Sequence, residues 1–540
     1  NSWACPCEDS LPPGPFFLYR FFDTFLFIES THKKLFCFFN GECVKIIRVS
    51  EVQHMKIGFN NEKYLQMQSS KIMERISQFG DKLYLEFGGK LYDDFHASRV
   101  LPGFAPDSKL QMLKQLKDQT EIVLVINSKD ILQNKVRADL GITYDQDVLR
   151  LIKEFQKAGF YVSSVVITQC EGKKIAESFK AKLKRRKIAV YQHYYIEGYP
   201  TNTKHIISEQ GFGKNDYIKT TRPLVVVTAP GPGSGKMATC LSQLYHEHKH
   251  GIKAGYAKYE TFPIWNIPLN HPVNLAYEAA TADLNDVNMI DPYHLQAYGE
   301  VTVNYNRDVE IFPVLKSIFE EIFTTSPYQS PTDMGVNMAG FCIEDDEVCS
   351  NASRQEIIRR YFSTRTRYIQ ELCTIDEVQK QETVMKNAGI SEEDRPCVVA
   401  ARKKQEESKV YSGAIELEDG TLITGKTTSF MGACSSILMN ALKYLANIDD
   451  KDMLIEPSAF GPIQTLKTEY LGSQNPRLHT NEILIALSLS AQTNENAAKA
   501  LDQLKNLKGM QAHVTCSVAS VDLSVFNNLG IQLTYEAEHR

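Results

Sequence analysis

The chain has 540 residues, of which 43% are apolar and 23% charged, and its formal net charge is −5. This composition allows about three globular domains and excludes a fibrous or largely disordered chain. The small acidic excess argues against a nucleic-acid partner, and twelve scattered cysteines without paired CxxC spacing indicate free thiols in the cytoplasm rather than a disulfide framework.

Residues 1–54 differ in composition from the rest of the chain. Nine of the 27 phenylalanines and four of the twelve cysteines lie there. The apolar run at 16–28 is too short to span a bilayer and contains Arg20 and Asp23, so no membrane contact is predicted. An ordinary globular pattern opens at Met55. We therefore interpret 1–54 as an atypical extension outside the working protein, which is expected to start at Met55.

Helical and strand patterns alternate with short links from Met55 onward. Strands are predicted at 82–87, 121–126, 161–167, 188–192 and 224–228. Helices are predicted at 71–79, 108–117, 147–157 and 173–187. This alternation predicts an α/β fold with a doubly wound, mostly parallel sheet, in which ligands bind at the carboxyl ends of the strands.

The stretch 224–245 has the order of a phosphate-binding, P-loop-like site. An apolar strand is followed by a loop rich in glycine, then by Lys236 and a segment with helical spacing. Glycine lets backbone N–H groups turn towards an anion, and a helix N-terminus and a lysine add positive potential. The predicted phosphate-binding residues are Gly231, Gly233, Ser234, Gly235 and Lys236. Lys236 is also the predicted catalytic residue. An ordinary turn between a strand and a helix is the alternative.

The match to the usual pattern fails at the metal position. Pro230 stands at the first glycine position, and Met237 stands where a serine or threonine would bind Mg²⁺. A thioether is a poor ligand for this hard cation. Asp291 and Asp308 are candidates for a carboxylate that holds Mg²⁺, but neither ends a clean apolar strand. The need for magnesium is therefore left open.

A second sequence of glycine and lysine follows the strand predicted at 82–87. The residues assigned to ligand binding here are Gly88, Gly89, Lys90, His96 and Arg99. Because the carboxyl ends of parallel strands meet at one edge of a sheet, we predict that these side chains line the same crevice as the loop at 231–236.

A rival pattern lies at the far end of the helix that follows Lys236. His246, Glu247 and His250 satisfy HExxH, in which two imidazoles share one helical face with a glutamate base. A solvated helix end, closed by Gly251, is the simpler interpretation, because histidine is favoured near the C-terminus of a helix. No metal ligand is therefore assigned, and a zinc-dependent hydrolase stays an alternative.

The predicted domains are a phosphate-binding α/β domain at 55–326, a helical domain at 327–395 and a C-terminal α/β subdomain at 396–540. A capping box at 353–356 predicts the start of one helix, and 375–387 is predicted to form a second. In the last domain an Asp-Gly pair at 419–420 predicts a hairpin. There, 457–476 is predicted as a long loop and 480–507 as one helix.

Four long motifs lie between Met55 and Arg540, at residues 87–104, 229–236, 260–266 and 271–280. Through these motifs the chain resembles a bacterial family described as domain of unknown function 1846. The resemblance implies an α/β N-terminal region, a helical part and a C-terminal α/β subdomain with the topology of cytidine deaminases. Residues 432–436 lack the HxE pair of those enzymes and no PCxxC follows, so zinc deamination is not implied.

These patterns together predict a cytoplasmic protein that binds a nucleotide or phosphorylated metabolite, such as ATP, at 231–236. Phosphoryl transfer is the expected reaction class. The expected partner is a phosphorylated small molecule, with neither nucleic acid nor membrane involved and with a homo-oligomer left open. The alternatives are the zinc hydrolase and a non-catalytic binding or assembly protein.

Overall fold

The structure, a computed structural model, describes residues 17–21, 25–30, 34–39, 42–48, 57–80, 82–88, 91, 94–137, 142–170 and 177–537. Its strands are β1 Phe17–Phe21, β2 Phe25–Ser30, β3 Lys34–Phe39, β4 Glu42–Arg48, β5 Leu83–Phe87, β6 Thr120–Asn127, β7 Val136–Arg137, β8 Ile142–Thr143, β9 Tyr161–Cys170, β10 Ala189–Tyr194, β11 Leu224–Thr228, β12 Gly255–Tyr259, β13 Asn288–Ile290, β14 Val303–Tyr305, β15 Gly335–Val336, β16 Ser412–Glu416, β17 Leu422–Lys426, β18 Gln511–Val514 and β19 Gln532–Tyr535.

The α-helices of the described residues alternate with these strands in the first half of the chain and outnumber them in the second. They are α1 Asn61–Gln78, α2 Phe95–Val100, α3 Ser108–Gln115, α4 Ser128–Leu132, α5 Tyr144–Lys157, α6 Glu177–Arg185, α7 Thr203–Ile206, α8 Lys236–Lys249, α9 Pro272–Ala280, α10 Pro292–Tyr298, α11 Asn306–Phe323, α12 Pro331–Met334, α13 Asp346–Ile369, α14 Ile375–Asn387, α15 Pro396–Ser408, α16 Ala433–Leu445, α17 Pro457–Thr465, α18 Thr480–Ser490, α19 Glu495–Leu501 and α20 Ser520–Leu529.

Two compact units divide the chain, at 1–55 and 56–540. In the first unit, β1 to β4 pair in that order as an antiparallel sheet. The other residues of the N-terminal extension lie outside the described part of the chain. The exclusion of 1–54 from the working protein therefore stays a prediction, as do the predicted domain bounds.

Seven parallel strands form the central sheet of the second unit, in the order β10-β9-β6-β11-β5-β12-β15. Every residue of β5, β6, β11 and β12 is buried, as expected for strands covered on both faces by helices. One face packs against α1, α3, α5 and α6, and the other against α8 and α11. The prediction of an α/β fold with a parallel sheet is confirmed.

A smaller sheet in the C-terminal part has the strand order β17-β16-β18-β19. β16 is antiparallel to both of its neighbours, whereas β18 and β19 are parallel. The predicted hairpin is present: Glu416 pairs with Leu422, and Gly420 in the turn has a φ of +82°. The deaminase-like topology of this part stays a prediction. In the described part of the chain, no helix combines the length and the apolar character that crossing a bilayer requires.

The capping box predicted to begin a helix at Ser353 is wrong. α13 begins earlier, where the side chain of Asp345 accepts a hydrogen bond from the N–H of Val348 at 3.1 Å. Ser353 is buried inside the helix, and its hydroxyl donates to the carbonyl of Val100 at 3.3 Å. The Ser and Glu of the pattern are thus used by tertiary contacts, which a local pattern does not reveal.

Two predictions for the C-terminal part are wrong in their extent. The stretch 457–476 contains α17, which starts with Pro457 in its first turn, a position where proline favours a helix. The single helix predicted at 480–507 is two helices, α18 and α19. Asn494 separates them because its side chain accepts hydrogen bonds from the N–H groups of Asn496 and Ala497 and caps α19.

Candidate functional site

The loop predicted to bind phosphate joins β11 to α8 at the carboxyl edge of the central sheet. Gly233 and Gly235 have φ angles of +74° and +91°, in the left-handed region that favours glycine. A Cβ on Gly235 would lie 3.1 Å from the side chain of Thr168, and one on Gly231 would collide with the hydroxyl of Tyr144. The turn therefore requires glycine at these positions.

Hydrogen bonds from within the loop and from neighbouring strands hold this turn in place. The buried hydroxyl of Ser234 donates to the carbonyl of Gly231 at 2.8 Å. Thr168, on β9, donates to the carbonyl of Ser234 at 2.7 Å, and the amide of Asn127, on β6, donates to the carbonyl of Gly233 at 3.3 Å. Ser234 therefore stabilises the loop, and its partner Thr168 was not predicted from the sequence.

Donors at the start of α8 lack acceptors. The backbone N–H groups of residues 235–238 donate to no residue that the structure describes, as is usual in the first turn of a helix. The ammonium group of Lys236 makes neither a hydrogen bond nor an ion pair with any described residue. Apart from Gly233 and its two chain neighbours, no described residue has an atom within 4 Å of the position that a Cβ on Gly233 would take. The loop thus offers N–H groups and a full positive charge to an anion.

The positions considered for magnesium have structural partners. Met237 packs against the apolar core under α8, and the hydroxyl of Thr239 donates to a carbonyl of its own helix at 2.9 Å. Asp291 caps α10 by accepting hydrogen bonds from two backbone N–H groups. Asp308 forms an ion pair with Lys258. None of these four candidates is assigned as a magnesium ligand.

The carboxylate of Glu247, in the HExxH pattern, is buried and already accepts hydrogen bonds. Its Oε1 accepts hydrogen bonds from Lys82 Nζ and from the hydroxyl of Tyr84, each at 2.6 Å, and its Oε2 accepts one from the hydroxyl of Tyr217 at 3.1 Å. The ring of His250 bonds a carbonyl of its own helix at 2.6 Å. Among the described residues, no group of three His, Cys, Asp or Glu side chains is placed to hold a metal ion. The geometry therefore gives this pattern a structural role.

A buried charged cluster lies at the carboxyl end of β12. Lys258 forms ion pairs with Asp308 of α11 and with Glu260, whose Oε1 lies 2.7 Å from Nζ. The hydroxyl of Tyr305 donates to Glu260 at 2.8 Å. Glu260 also lines a small pocket that is open to solvent, together with Trp265, Asn304 and Asn337 among others. This cluster was not predicted from the sequence.

The protonation of Glu260 is set by its buried surroundings. Burial and the negative charge of Asp308 raise the pKa of Glu260 to about 7, although Lys258 acts in the opposite direction. Because Asp308 already balances Lys258, a second ionised carboxyl group would be an uncompensated buried charge. Glu260 can therefore exchange a proton near neutral pH, as a general acid or base must.

Stability is expected to fall as the pH rises from 4.5 through 7. The folded chain holds a proton on Glu260 that the unfolded chain, with a pKa of 4.5, has released. This contribution is complete below pH 4.5 and is lost above pH 7, and it amounts to about 3 kcal/mol. Urea unfolding across this range measures it. We expect Glu260→Gln to flatten the slope and the exposed Glu310→Gln, on α11, to keep it; a slope that Glu260→Gln leaves intact would refute the assignment.

A row of charged groups connects this cluster with the phosphate-binding loop. Glu86 on β5 lies opposite Lys258 in the sheet register. Burial and the charge of Glu86 raise the pKa of the Cys240 thiol on α8, whereas Lys236 lowers it. Glu86 therefore acts on Lys258 and on the same thiol as Lys236, and the row consists of Lys236 at the start of α8, Glu86 on β5 and Lys258 on β12.

The second glycine-lysine sequence is only partly described. Gly88 follows β5, and its N–H donates to the carbonyl of Tyr259 at 3.2 Å. Gly88 thus lies at the carboxyl edge of the sheet, as the sequence predicts. Gly89 and Lys90 lie outside the described residues, and their role in ligand binding stays a prediction.

His96 and Arg99 belong to a cluster of their own. Both lie on α2 and both contact Glu356 of α13, His96 through Nδ1 at 3.4 Å and Arg99 through Nε at 2.9 Å. The ring of His96 also packs edge-on against Phe262, with 5.2 Å between the ring centres. Neither residue makes a hydrogen bond or an ion pair with the loop at 231–236, which the structure describes in full. The structure therefore does not join them directly to the loop.

Comparison with known proteins matches this chain to one protein family. The family model described as domain of unknown function DUF1846, N-terminal, matches residues 57–389, and its C-terminal counterpart matches 393–540. A UPF0371 protein of Corynebacterium aurimucosum is 58% identical over 479 residues, which are 88% of this chain and 96% of that protein. UPF0371 protein str1377 of Streptococcus thermophilus is 56% identical over 481 residues, 89% of this chain and 97% of that protein.

Proposed function

We propose that this chain, which belongs to the DUF1846 family, binds the phosphate group of a small molecule at residues 231–236. The observation that carries the proposal is the set of unpaired donors at the start of α8. A lysine ammonium and successive backbone N–H groups meet there without an acceptor among the described residues. Such an arrangement is stabilised when an anion supplies the acceptors.

The charged row along the sheet edge supports a ligand that is larger than phosphate alone. We propose that the phosphate lies at Lys236 and that the rest of the molecule extends over β5 towards the pocket beside Glu260. Neighbouring strands are about 4.8 Å apart, so the distance across β5 matches the length of a nucleotide or sugar phosphate. Phosphoryl transfer is the proposed reaction class, in which Lys236 stabilises charge and Glu260 exchanges a proton.

Lys236→Ala is expected to weaken binding of ATP and of inorganic phosphate by at least about tenfold. The reason is that a hydrogen bond to a charged group contributes about 1.5–3 kcal/mol, and this substitution removes the full charge at the loop. Isothermal titration calorimetry measures the affinity. Because Met237 replaces the usual hydroxyl ligand, we expect EDTA to leave the affinity for inorganic phosphate unchanged.

The matched control is Lys249→Ala, which removes an exposed lysine from the other end of the same helix. It should bind both ligands as the unmodified protein does. Equal affinities for Lys236→Ala and the unmodified protein would refute the phosphate site. Binding of ATP without any turnover would favour the non-catalytic alternative instead. We do not propose zinc hydrolysis, because Glu247 is already bound by three donors.

A further inference from the structure

Glu356 is a buried carboxylate surrounded by cations. Only 1% of its side chain is exposed. It accepts hydrogen bonds from Arg359 Nε and Nη2, both at 2.6 Å, from Arg99 Nε at 2.9 Å and from Arg360 Nε at 2.9 Å. His96 is a fourth partner of Glu356, through its Nδ1 atom. One negative charge therefore holds three guanidinium groups in place.

The charges in this arginine cluster do not balance. Three arginines and one glutamate leave two positive charges in excess. The cluster holds the pKa of Glu356 well below its usual range in spite of burial. Burial, with the like charges of Arg359 and Arg360, lowers the pKa of Arg99 to about 10, although Glu356 opposes this. Asp283 acts on Arg360 from a distance but forms no ion pair with it.

A buried arginine nearby adds to the positive charge. Arg395 is 0% exposed and acts electrostatically on the cluster's Arg359 and Glu356. Its hydrogen bonds go to neutral acceptors, which include the carbonyls of Ala512 and Gln532. Glu416 acts on Arg395 electrostatically, but no carboxylate of the described residues other than Glu356 forms an ion pair with any of these four arginines.

The cluster also keeps unused donors that reach solvent. Arg360 bonds Glu356 through Nε alone, and the Nη1 atoms of Arg99 and Arg359 have no partner among the described residues. None of these nitrogens is fully buried, and the three side chains are 23%, 20% and 29% exposed for Arg99, Arg359 and Arg360. Guanidinium groups suit oxyanions because each can offer two parallel N–H groups.

We propose that Arg99, Arg359 and Arg360 form a second anion site, which binds a phosphate group and whose geometry is held by Glu356. The excess of two positive charges matches a phosphate dianion, and the solvent-facing Nη groups supply its hydrogen bonds. The site does not depend on the loop at 231–236, with which the cluster shares no hydrogen bond or ion pair among the described residues.

Phosphate binding stoichiometry tests this proposal. The probe is inorganic phosphate at low ionic strength, titrated by calorimetry into the full chain. We expect two sites in the unmodified protein, one in Lys236→Ala and one in Arg360→Gln. The matched control is Arg354→Gln, which removes an arginine of the same helix that bonds only Asn351 in the described structure and should keep both sites. Arg360→Lys keeps the charge but loses the planar fork, and is expected to bind at the cluster about tenfold more weakly.

The outcomes separate the two sites. If Lys236→Ala binds no phosphate, or if Arg360→Gln and Arg360→Lys bind as the unmodified protein does, the arginine site is refuted. If Lys236→Ala keeps full stoichiometry while Arg360→Gln loses one phosphate, the arginine site stands and the loop proposal fails. Circular dichroism of each variant before titration verifies that a lost site is not a lost fold, and Arg360→Lys replaces Arg360→Gln if the latter is unfolded.

Discussion

Glu356→Gln is expected to lower the free energy of unfolding by about 3–5 kcal/mol, because it removes one partner of a buried ion cluster and leaves the others unpaired. Arg99, Arg359 and Arg360 would then face each other without a carboxylate, and the amide nitrogen that replaces one oxygen cannot accept their hydrogen bonds. Urea unfolding followed by circular dichroism gives the free energy from the midpoint and slope of the transition.

The control for this variant is Glu347→Gln, which alters an exposed glutamate near the start of the same helix. Surface changes of this kind usually shift stability by less than about 0.5 kcal/mol. Phosphate should raise the unfolding midpoint of Glu356→Gln more than that of the control, because an added anion partly replaces the missing carboxylate. A loss below about 1 kcal/mol would contradict the view that Glu356 organises the cluster.

The central sheet could be predicted because its strands are local, apolar runs. β11 has the bounds 224–228 that the sequence predicts, β5 begins one residue later than predicted, and β6 is one residue longer at each end. Strands covered on both faces by helices are apolar along their whole length, so they are recognised as continuous apolar runs. The bounds of α14, 375–387, also agree with the prediction, which rested on helical spacing and a closing glycine.

Errors arose where a side chain has a distant partner. Ser353 and Glu356 form an apparent capping box, yet Ser353 bonds a carbonyl of α2 and Glu356 holds arginines from two helices. Helix-start signals rest on contacts three residues apart, whereas these contacts cross more than 250 residues of chain. Such pairs can be identified only once the fold is known.

The candidate site shows the same division between local and distant contacts. The turn at 231–236 was found because glycines, lysine and helix follow one another in sequence. Thr168 and Asn127, whose side chains bond the loop, lie on other strands and were not predicted from the sequence. Lys258 and Glu260 did carry a signal: charges two residues apart at the end of a strand point to one face of the sheet. Their partner Asp308 could be identified only from the packing of α11.

Lys258→Met is expected to lower the free energy of unfolding by about 3–5 kcal/mol. Asp308 and Glu260 raise the pKa of Lys258 even though burial opposes them, so the ammonium group is charged and paired in the folded chain. Removing it leaves the carboxylate of Asp308 buried beside Glu260 and Glu86 without a cation. Urea unfolding at pH 7 measures the loss, and Lys253→Met, at an exposed lysine just before β12, should change stability by less than about 0.5 kcal/mol.

A double substitution decides whether the loss comes from charge or from packing. Asp308→Asn removes the second charge of the pair, so Lys258→Met combined with Asp308→Asn buries no unpaired ion and should be more stable than the sum of the two single effects predicts. We expect a coupling energy of at least about 1 kcal/mol, since residues in one ion cluster are not additive. Additive effects would mean that Lys258 stabilises the sheet edge through its packed side chain alone. The charges from Lys236 to Glu260 would then not act on one another, and the proposal that the ligand extends beyond its phosphate towards Glu260 would lose its support.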